Sequence, residues 1–320
     1  MNDPATALWT LDSLTLDGHE QPRLDIPHLE ITPGRTAVMG ASGAGKTSLL
    51  NLLVGFETPD HGQLINRIPR SSDRLPLFWI PPDWGLWPQA TAREHLLAVL
   101  PGDSPQQQDT IDVQLEVFGL SERAAARPGE LSAGQRSRLA VARGLVANAA
   151  VLVADEPLVH VDPARLEHDW ETLVQHSSQQ DTSLVFSTHS PEPVLRHADR
   201  VVVLAHGKVV AHGDVDTLYL QPPSREVANS LGPANWFEAP QAREWQVGSG
   251  TASVCLRPEQ IVLVADNDAT ARVLESRAIG PIRETQLELL DSKTQRNLIH
   301  LAQPGTPIPS GNVRIAIAAD

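Results

Sequence analysis

The eight residues Gly40-Ala41-Ser42-Gly43-Ala44-Gly45-Lys46-Thr47 fit the pattern G-x-x-x-x-G-K-[ST] of a phosphate-binding P-loop. The residues before them, 35–39, predict a buried strand, and those after them, 48–54, have apolar side chains at helical spacing. Glycines in such a loop let backbone N–H groups and the helix N-terminus surround phosphate oxygens. We therefore predict that these residues and Ser48 bind a nucleotide, with Lys46 on the β- and γ-phosphates and Thr47 on Mg²⁺. The weaker alternative is a chance glycine-rich turn.

Two buried strands further along the chain end in residues that can do chemistry. Val151–Ala154 leads into Asp155 and Glu156, and Ser183–Ser187 leads into Thr188 and His189. Parallel α/β sheets bind ligands at the carboxyl ends of their strands. Downstream of a P-loop, Asp155 is a candidate Mg²⁺ ligand through water, and Glu156 is a candidate for orienting the attacking water. An ordinary strand-end turn is the alternative.

The composition restricts the classes of partner. The chain has 320 residues, 25 Lys plus Arg and 39 Asp plus Glu, and a formal net charge of -14. Such an acidic chain is a poor partner for nucleic acid. Its one cysteine, Cys255, cannot form an internal disulfide and fits a reducing compartment. Met1–Pro4 lacks the features of a signal peptide, and no apolar run reaches the ~20 residues that span a bilayer, so we expect any membrane role to come through a partner.

A third motif, Leu131-Ser132-Ala133-Gly134-Gln135, opens an apolar helical stretch that runs to Val146. With the P-loop and Asp155-Glu156, it resembles the signature sequence of ATP-binding cassette (ABC) ATPases. The resemblance covers most of residues 8–235. It implies that Ser132, Ala133, Gly134 and Gln135 face the ATP of a second subunit, that Asp162 is the D-loop aspartate, and that His189 is the switch histidine. Catalysis is then assigned to Glu156, His189 and Lys46, with ATP and Mg²⁺ as cofactors.

The sequence departs from the family pattern at two places. The glutamine of the family's Q-loop is replaced by Pro82, for which Asp83 or Gln89 are the candidate substitutes. The aromatic residue that stacks on adenine is also missing from 16–18, where Trp9 and His19 are the nearest candidates. Adenine contact and hydrolysis rate are therefore less well defined by the sequence than phosphate binding.

Trp84 and Trp87 stand in a chain with only 4% aromatic residues. In the family this segment helps to form the groove for a membrane subunit's coupling helix, and large aromatic side chains often dominate docking sites. We predict that both tryptophans serve docking. The alternative is that they fill the core between the α/β and helical parts.

The C-terminal part has a different pattern. We interpret 213–250 as a tail helix and linker, and the later alternation, such as Val313, Ile315 and Ile317, predicts short strands. Arg257-Pro258-Glu259 resembles the entry to the small β-barrel regulatory domain of importer ATPases that serve inorganic ions, polyamines and sugars. A small β-domain used only for dimer contacts is the alternative.

These observations predict an ABC cassette at 1–235, with a mostly parallel α/β sheet and a helical subdomain at about 83–145, followed by a small all-β barrel-like domain at 236–320. The resemblance implies an ATPase subunit of an importer, acting as a head-to-tail homodimer at the cytoplasmic face of the inner membrane. Its expected partners are membrane-spanning permease subunits and, through them, a substrate-binding protein. The alternatives are an ATP-binding regulatory module with weak hydrolysis and a soluble, non-transport ABC ATPase.

Overall fold

The computed structural model describes residues 7–102, 107–265, 269–302 and 311–318. Met1–Pro4, on which the expectation about a signal peptide rests, lies outside the described residues. The chain forms two compact units, Met1–Val215 and Asp216–Asp320. In the described part of the chain, no helix is long and apolar enough to cross a membrane.

The first unit contains nine strands and seven helices with the following bounds in its described residues. They are β1 (Trp9–Leu16), β2 (Leu24–Ile31), β3 (Arg35–Met39), α1 (Lys46–Leu53), β4 (His61–Asn66), β5 (Leu75–Ile80), α2 (Ala92–Leu97), α3 (Gln107–Val117), α4 (Ala133–Val146), β6 (Ala149–Asp155), α5 (Pro163–Gln179), β7 (Ser183–Thr188), α6 (Pro191–His197), β8 (Arg200–Ala205), β9 (Lys208–Asp214) and α7 (Val215–Leu220), whose first residue alone belongs to this unit.

The strands of the first unit form one mixed sheet in the order β4-β1-β2-β9-β8-β3-β7-β6-β5. The pairings β8–β3, β3–β7, β7–β6 and β6–β5 are parallel, while β1 pairs antiparallel with both β2 and β4. β8 and β9 pair antiparallel as a hairpin. The predicted α/β cassette is confirmed, and the carboxyl ends of β3, β6 and β7 lie side by side at one sheet edge.

Two helices of the first unit begin with capping boxes. Thr91 caps α2 and forms a capping box with Glu94, and Ser132 caps α4 and forms one with Gln135. Each box satisfies backbone N–H groups that a helix N-terminus would otherwise leave without partners. The helices α2, α3 and α4 all follow β5 and precede β6, within the segment for which we predict a helical subdomain.

The main hydrophobic core lies between β1, β2, α1 and the central strands. It includes Leu49, Leu50 and Leu53 of α1 and Val151 of β6. Trp9 belongs to this core, because its side chain is fully buried and its indole N–H donates to the carbonyl of Leu53 at 2.9 Å. Trp9 is therefore wrong as a candidate for adenine contact, since no face of its ring is open to a ligand.

The second unit is a small β structure with short helices. Its elements are the rest of α7, α8 (Arg225–Ser230), β10 (Asn235–Phe237), α9 (Ala239–Glu244), β11 (Val254–Leu256), β12 (Ile261–Ala265), β13 (Ala271–Ile279), β14 (Ile282–Leu289), β15 (Gln295–Leu301) and β16 (Asn312–Ile317). An antiparallel sheet runs in the order β12-β16-β13-β14-β15, and β10 pairs with β11. Val313 and Ile315 face the core, as their alternation predicts. The small β domain is confirmed.

The unit boundary after Val215 falls earlier than the domain boundary that the sequence suggests after residue 235. The buried Arg257 guanidinium explains the difference, because it donates to the carbonyls of Tyr219, Ala228 and Gly232 at 2.8, 3.0 and 3.2 Å. These bonds tie 216–235 to the β strands, so the segment that we interpret as a tail helix and linker packs as part of the second unit.

Candidate ATP-binding site

The P-loop runs from the end of β3 to the start of α1, as the sequence predicts. Gly45 precedes the helix with φ of 104°, a left-handed conformation that favours glycine. A Cβ at Gly45 would lie 2.8 Å from Cδ2 of Leu24 and 3.1 Å from the carbonyl oxygen of Arg23. The loop at the start of β2 therefore packs against the P-loop closely enough to require glycine there.

Lys46 is held inside the loop. Its side chain is 7% exposed, and Nζ donates to the carbonyl of Gly40 at 2.8 Å and to that of Ala41 at 3.2 Å. The same Nζ lies 3.7 Å from Oε1 of Glu156. One ammonium group thus lies between the loop carbonyls and the carboxylate that follows β6.

Thr47 and Asp155 meet across the sheet edge. The Thr47 hydroxyl donates to Oδ2 of Asp155 at 2.6 Å, and the Ser187 hydroxyl donates to Oδ1. Asp155 and Ser187 are register partners on β6 and β7, which explains why they touch. With both carboxylate oxygens bonded and the side chain 3% exposed, Asp155 has a defined orientation beside the P-loop hydroxyl.

Glu156 occupies an unusual backbone position for its residue type. Its φ is 47°, in the left-handed region, where a residue other than glycine has a backbone strain of about 1–3 kcal/mol. Its N–H donates to the Ser187 hydroxyl at 3.0 Å, and Oε1 lies 3.1 Å from Nδ1 of His189. The strained turn brings the carboxylate back over the sheet edge, between Lys46 and His189.

These groups line a cavity of about 520 Å³. Its described lining residues are Arg23, Ser42, Gly43, Gly45, Lys46, Thr47, Ser48, Pro82, Asp155, Glu156, Val159 and His160. His189 lies beyond this set but lines an adjoining cavity of about 390 Å³ together with Glu156. The described lining therefore includes the predicted metal-binding and water-orienting residues and part of the predicted phosphate-binding loop, without Gly40, Ala41 and Ala44.

The signature residues lie elsewhere. Among the described residues, the cavity lining includes neither 132–135 nor Asp162. Ser132 and Gln135 are engaged in the cap of α4, and Oδ1 of Asp162 accepts from the N–H of Ala164 at the start of α5. Gly134 packs so closely that a Cβ would lie 2.8 Å from the carbonyl oxygen of His160. A single chain does not bring the signature to its own P-loop.

Neither candidate substitute for the missing glutamine reaches the cavity. Pro82 lines it, whereas Asp83 and Gln89 are absent from its described lining. Oδ1 of Asp83 accepts the N–H of Gly85 at 3.3 Å, which closes a local turn. His19 is exposed and is likewise absent from the described lining.

The two tryptophans of the docking prediction have different surroundings. Trp84 is half-buried, with its ring edge-on to His160 at 5.7 Å and under the Arg136 guanidinium at 4.8 Å. Trp87 is 41% exposed and stacks on His95, with ring centroids 5.2 Å apart. Neither side chain is fully buried. Filling of the core therefore accounts for part of the surface of the Trp84 side chain and for little of that of Trp87.

His95 is fully buried and forms hydrogen bonds that fix the backbone of the tryptophan loop, the segment 84–87 that carries Trp84 and Trp87. Nδ1 lies 2.7 Å from the carbonyl of Thr91, to which it donates, and Nε2 accepts the N–H of Trp87 at 2.8 Å. This pattern requires neutral imidazole, and burial lowers the pKa of His95, which favours the same form. The backbone at Trp87 therefore depends on an uncharged histidine.

Sequence reasoning missed three residues of this region. Ser187 orients both Asp155 and the backbone of Glu156, while Arg23 and His160 line the cavity. Ser187 could have been found from its place at the end of a predicted strand, next to the parallel strand that ends at Asp155. No local signal identifies Arg23 or His160, because each depends on a loop packed against the P-loop from a distant part of the chain.

The donor set fits ATP and Mg²⁺. The Thr47 hydroxyl and Asp155 carboxylate are adjacent oxygen ligands of the kind Mg²⁺ prefers. A Cβ at Gly43, where φ is 80°, would meet nothing within 4 Å, so the loop is open on the side where phosphate oxygens would approach. When bound, Mg²⁺ would neutralise phosphate charge there.

Comparisons with known proteins identify the class. A family model described as ABC transporter matches residues 24–159. The ferric-ion import ATP-binding protein FbpC of Yersinia enterocolitica is 32% identical over 257 residues, which cover 73% of this chain and 74% of that protein. FbpC of Serratia marcescens is 31% identical over 255 residues, with 73% and 74% covered. The chain therefore belongs to the importer-type family of ABC transporter ATP-binding proteins.

Solved structures agree on the fold. The ATP-binding cassette MJ0796, in a dimeric post-hydrolysis state bound to ADP and Pi, superposes with a TM-score of 0.55 at 22% identity, covering 64% of this chain and 98% of that one. An ATP-binding subunit of an ABC transporter superposes with a TM-score of 0.58 at 22% identity, covering 70% and 99%. Membership of the family, and not these structures, confirms the expected ATPase activity with ATP and Mg²⁺ and favours the transport subunit over both alternatives.

Proposed function

We propose that this chain couples ATP binding and hydrolysis to the import of ferric ion, or of an inorganic ion of similar chemistry, through separate permease subunits. The substrate class comes from the FbpC relatives, which are named as importers of Fe(3+) ions. The observation that supports ATP turnover most directly is the convergence on one cavity wall of Lys46, Thr47 with Asp155, and Glu156.

Each of these side chains has a role in the proposal. Lys46 and the loop N–H groups bind the β- and γ-phosphates, and Thr47 and Asp155 hold Mg²⁺. Glu156 accepts a hydrogen bond from the attacking water, which raises the electron density on the water oxygen. His189, 3.1 Å from Glu156, orients that carboxylate and reaches toward the γ-phosphate. Ser187 keeps Asp155 turned toward Thr47.

The assembly in the proposal is a head-to-tail homodimer. Ser132, Ala133, Gly134 and Gln135 open helix α4, whose N-terminal N–H groups favour an anion. Because these residues do not line the chain's own P-loop cavity in the described structure, the proposal assigns them to the cavity of a second copy. Asp162 joins them in this role, since an ideal Cβ on Gly134 would lie 3.5 Å from Cα of the preceding residue, Val161. Binding of two ATP molecules then joins the halves, and hydrolysis releases them.

The proposal places the chain on the cytoplasmic face of the inner membrane, bound to permease subunits that receive the ion from a substrate-binding protein. Trp87, exposed beside the half-buried Trp84, supplies an aromatic contact for the permease. The ion itself is chosen by the partners, since no group of three or more His, Cys, Asp or Glu residues in the described chain could hold a metal ion.

The experiment is reconstitution with the native partners. Proteins that co-purify with the tagged chain from membrane extract are placed in proteoliposomes, and ATP hydrolysis is measured with ferric ion, phosphate or a polyamine together with the co-purified binding protein. We expect ferric ion alone to stimulate hydrolysis, and the stimulation to be absent in the Glu156→Gln variant. Stimulation by phosphate or a polyamine instead would contradict the substrate while leaving the ATPase assignment intact.

A further inference from the structure

Arg23 is a positively charged residue at the rim of the P-loop cavity that the catalytic roles above do not use. It immediately precedes β2, and its N–H donates to the carbonyl of Leu16 at 2.7 Å, which closes the β1–β2 loop. The carbonyl oxygen of Arg23 packs against two glycines. A Cβ added to Gly45 would lie 3.1 Å from this oxygen, and a Cβ added to Gly207 would lie 2.6 Å from it. The backbone of Arg23 is therefore fixed against the P-loop.

The Arg23 side chain is held by hydrogen bonds from its guanidinium nitrogens. Nε donates to the carbonyl of Asp17 at 3.1 Å, and Nη2 and Nη1 donate to the two carboxylate oxygens of Glu57 at 2.5 and 3.4 Å. All guanidinium N–H bonds lie in the plane of the group. These contacts occupy the edge of the guanidinium and leave its flat faces without hydrogen-bond partners.

Glu57 is itself oriented for this contact. Its Oε1 also accepts from Nδ2 of Asn51 at 2.9 Å, at the end of α1. The hydrogen bond from Arg23 is the main reason that the pKa of Glu57 is lowered, so the carboxylate is ionised at neutral pH. A guanidinium paired with an ionised carboxylate is a weaker counter-charge for phosphate than a free one, but its face still attracts a π system.

The cavity offers no better platform for a base in the described residues. Its lining contains no Trp, Tyr or Phe, and Trp9 is buried in the core. Its one described imidazole, His160, is already in ring contact with Trp84, with centroids 5.7 Å apart. No aromatic ring of the described chain covers the Arg23 guanidinium, and the side chain is 46% exposed. The cavity lining thus includes a planar, partly exposed cation beside the loop that binds phosphates.

We infer that the face of the Arg23 guanidinium stacks on the adenine ring of ATP, with Glu57 as the positioning residue that fixes its plane. Planar stacking of arginine on a nucleobase needs no hydrogen bonds to the base and tolerates any purine. The inference rests on ATP being the nucleotide of this site. It accounts for base binding in a chain in which Trp9, the aromatic candidate suggested by the sequence, is enclosed in the core.

The test compares ligands with and without a base. Affinities of ATP and inorganic tripolyphosphate, each with Mg²⁺, are measured by calorimetry in a Glu156→Gln background, which prevents turnover. We expect Arg23→Ala to weaken ATP about fivefold to thirtyfold, from the loss of one cation–π contact, and tripolyphosphate less than about twofold. Arg23→Trp should keep ATP affinity within about threefold of the parent, because an indole face can also stack on adenine.

Two further variants calibrate the result. Lys46→Ala should weaken both ligands about tenfold to a hundredfold, since it removes a charge-assisted contact to phosphate. Arg67→Ala should change neither, because Arg67 is exposed, is not among the described lining residues and donates to Thr10 instead. Equal losses of ATP and tripolyphosphate in Arg23→Ala would make Arg23 a phosphate contact and overturn the inference, as would unchanged ATP affinity or an Arg23→Trp variant as weak as Arg23→Ala.

A measurement on the parent chain avoids dependence on variant folding. The Nε–H resonance of Arg23, assigned by its loss in Arg23→Lys, should shift on addition of ATP, through the ring current of adenine, and should stay in place with tripolyphosphate. An identical response to both ligands would contradict stacking. If the parent chain bound neither ligand, the ATP-site assignment would fail; normal binding of both without a response at Arg23 would defeat only the stacking.

Discussion

Buried polar side chains serve different ends in the two units of this chain. In the first unit, Lys46 and Asp155 are almost fully buried, yet both line the cavity at the sheet edge. In the second unit, Arg257 is 0% exposed, and its Nε and Nη1 donate to backbone carbonyls, one of them that of Pro233 at 3.1 Å. Burial of a charge is therefore a poor marker of function by itself. Lys46 and Asp155 line a cavity that a ligand can enter, whereas the described hydrogen bonds of the Arg257 guanidinium go to backbone carbonyls of its own unit.

The largest expected effect is on ATP turnover, when the carboxylate of Glu156 beside the cavity is replaced. Glu156→Gln should lower ATP turnover about a thousandfold, because general-base assistance contributes on the order of 10²–10⁴. ATP affinity should change little, and an ATP-stabilised dimer should appear in size-exclusion chromatography. Glu167→Gln, a control at an exposed glutamate paired with Arg196, should retain turnover. Parental turnover in Glu156→Gln would remove the role assigned to that carboxylate.

The matching change in the second unit should act on stability alone. Arg257→Met leaves the carbonyls of Tyr219, Ala228, Gly232 and Pro233 without their donor, so we expect a loss of about 3–5 kcal/mol in the unfolding free energy of the second unit. Hydrogen exchange resolved by peptide would report it, and calorimetry should find ATP affinity unchanged. Arg277→Met, at an exposed position on β13, is the matched control. Equal exchange in both variants would mean that Arg257 is dispensable.

The tryptophan loop gives an intermediate case in the first unit. Trp87→Ala should weaken assembly with permease subunits about tenfold, since a docked aromatic side chain is commonly worth more than 1 kcal/mol. Its melting temperature should move little, because the ring is 41% exposed. Trp84→Ala should weaken assembly and also disturb the contacts with His160 and Arg136. Pull-down yield beside a melting curve measures both effects.

Trp170→Ala is the control for these variants. Trp170 is 4% exposed and packs on Phe186, so its loss should collapse the melting temperature without a specific effect on assembly of the folded fraction. The docking role is excluded if Trp87→Ala behaves like Trp170→Ala.

The smallest expected effect is a difference in acid sensitivity. Burial is the main cause of lowered pKa values for His95, His176, His197 and His212 in the first unit, whereas His300 is the only histidine of 216–320. A histidine with a lowered folded-state pKa binds its proton more readily when unfolded. The stability that such a histidine contributes is therefore fully present above its pKa in the unfolded chain, about 6.5, and is lost as the pH falls through its lower pKa in the folded chain.

The first unit should thus lose more stability than the second between pH 7 and pH 5, a window above the ordinary titration of carboxylates. Asp169, whose pKa is raised by burial, acts in the opposite direction and reduces the difference. Calorimetric scans at several pH values, with His95→Gln as a variant that flattens the dependence of the first unit, measure the effect. A larger acid loss in the second unit would show that the buried histidines do not control it.

Local sequence was sufficient for the features that depend on neighbouring residues. The P-loop, the helix start at Ser132, and the carboxylates Asp155 and Glu156 at the end of β6 were all predicted, because glycine conformation, helix capping and strand termination are decided within a few residues. The alternation of Val313 and Ile315 likewise identified the core face of β16.

Only the tertiary structure decided which side chains meet. The Ser187–Asp155 contact follows from the register of β6 and β7, and Arg23 reaches the cavity because the β1–β2 loop packs on Gly45. The same packing enclosed Trp9 and, in the second unit, joined 216–235 to Arg257. Such contacts link residues far apart in the chain, and their geometry is set by the packing of the whole unit, which no short stretch of sequence specifies.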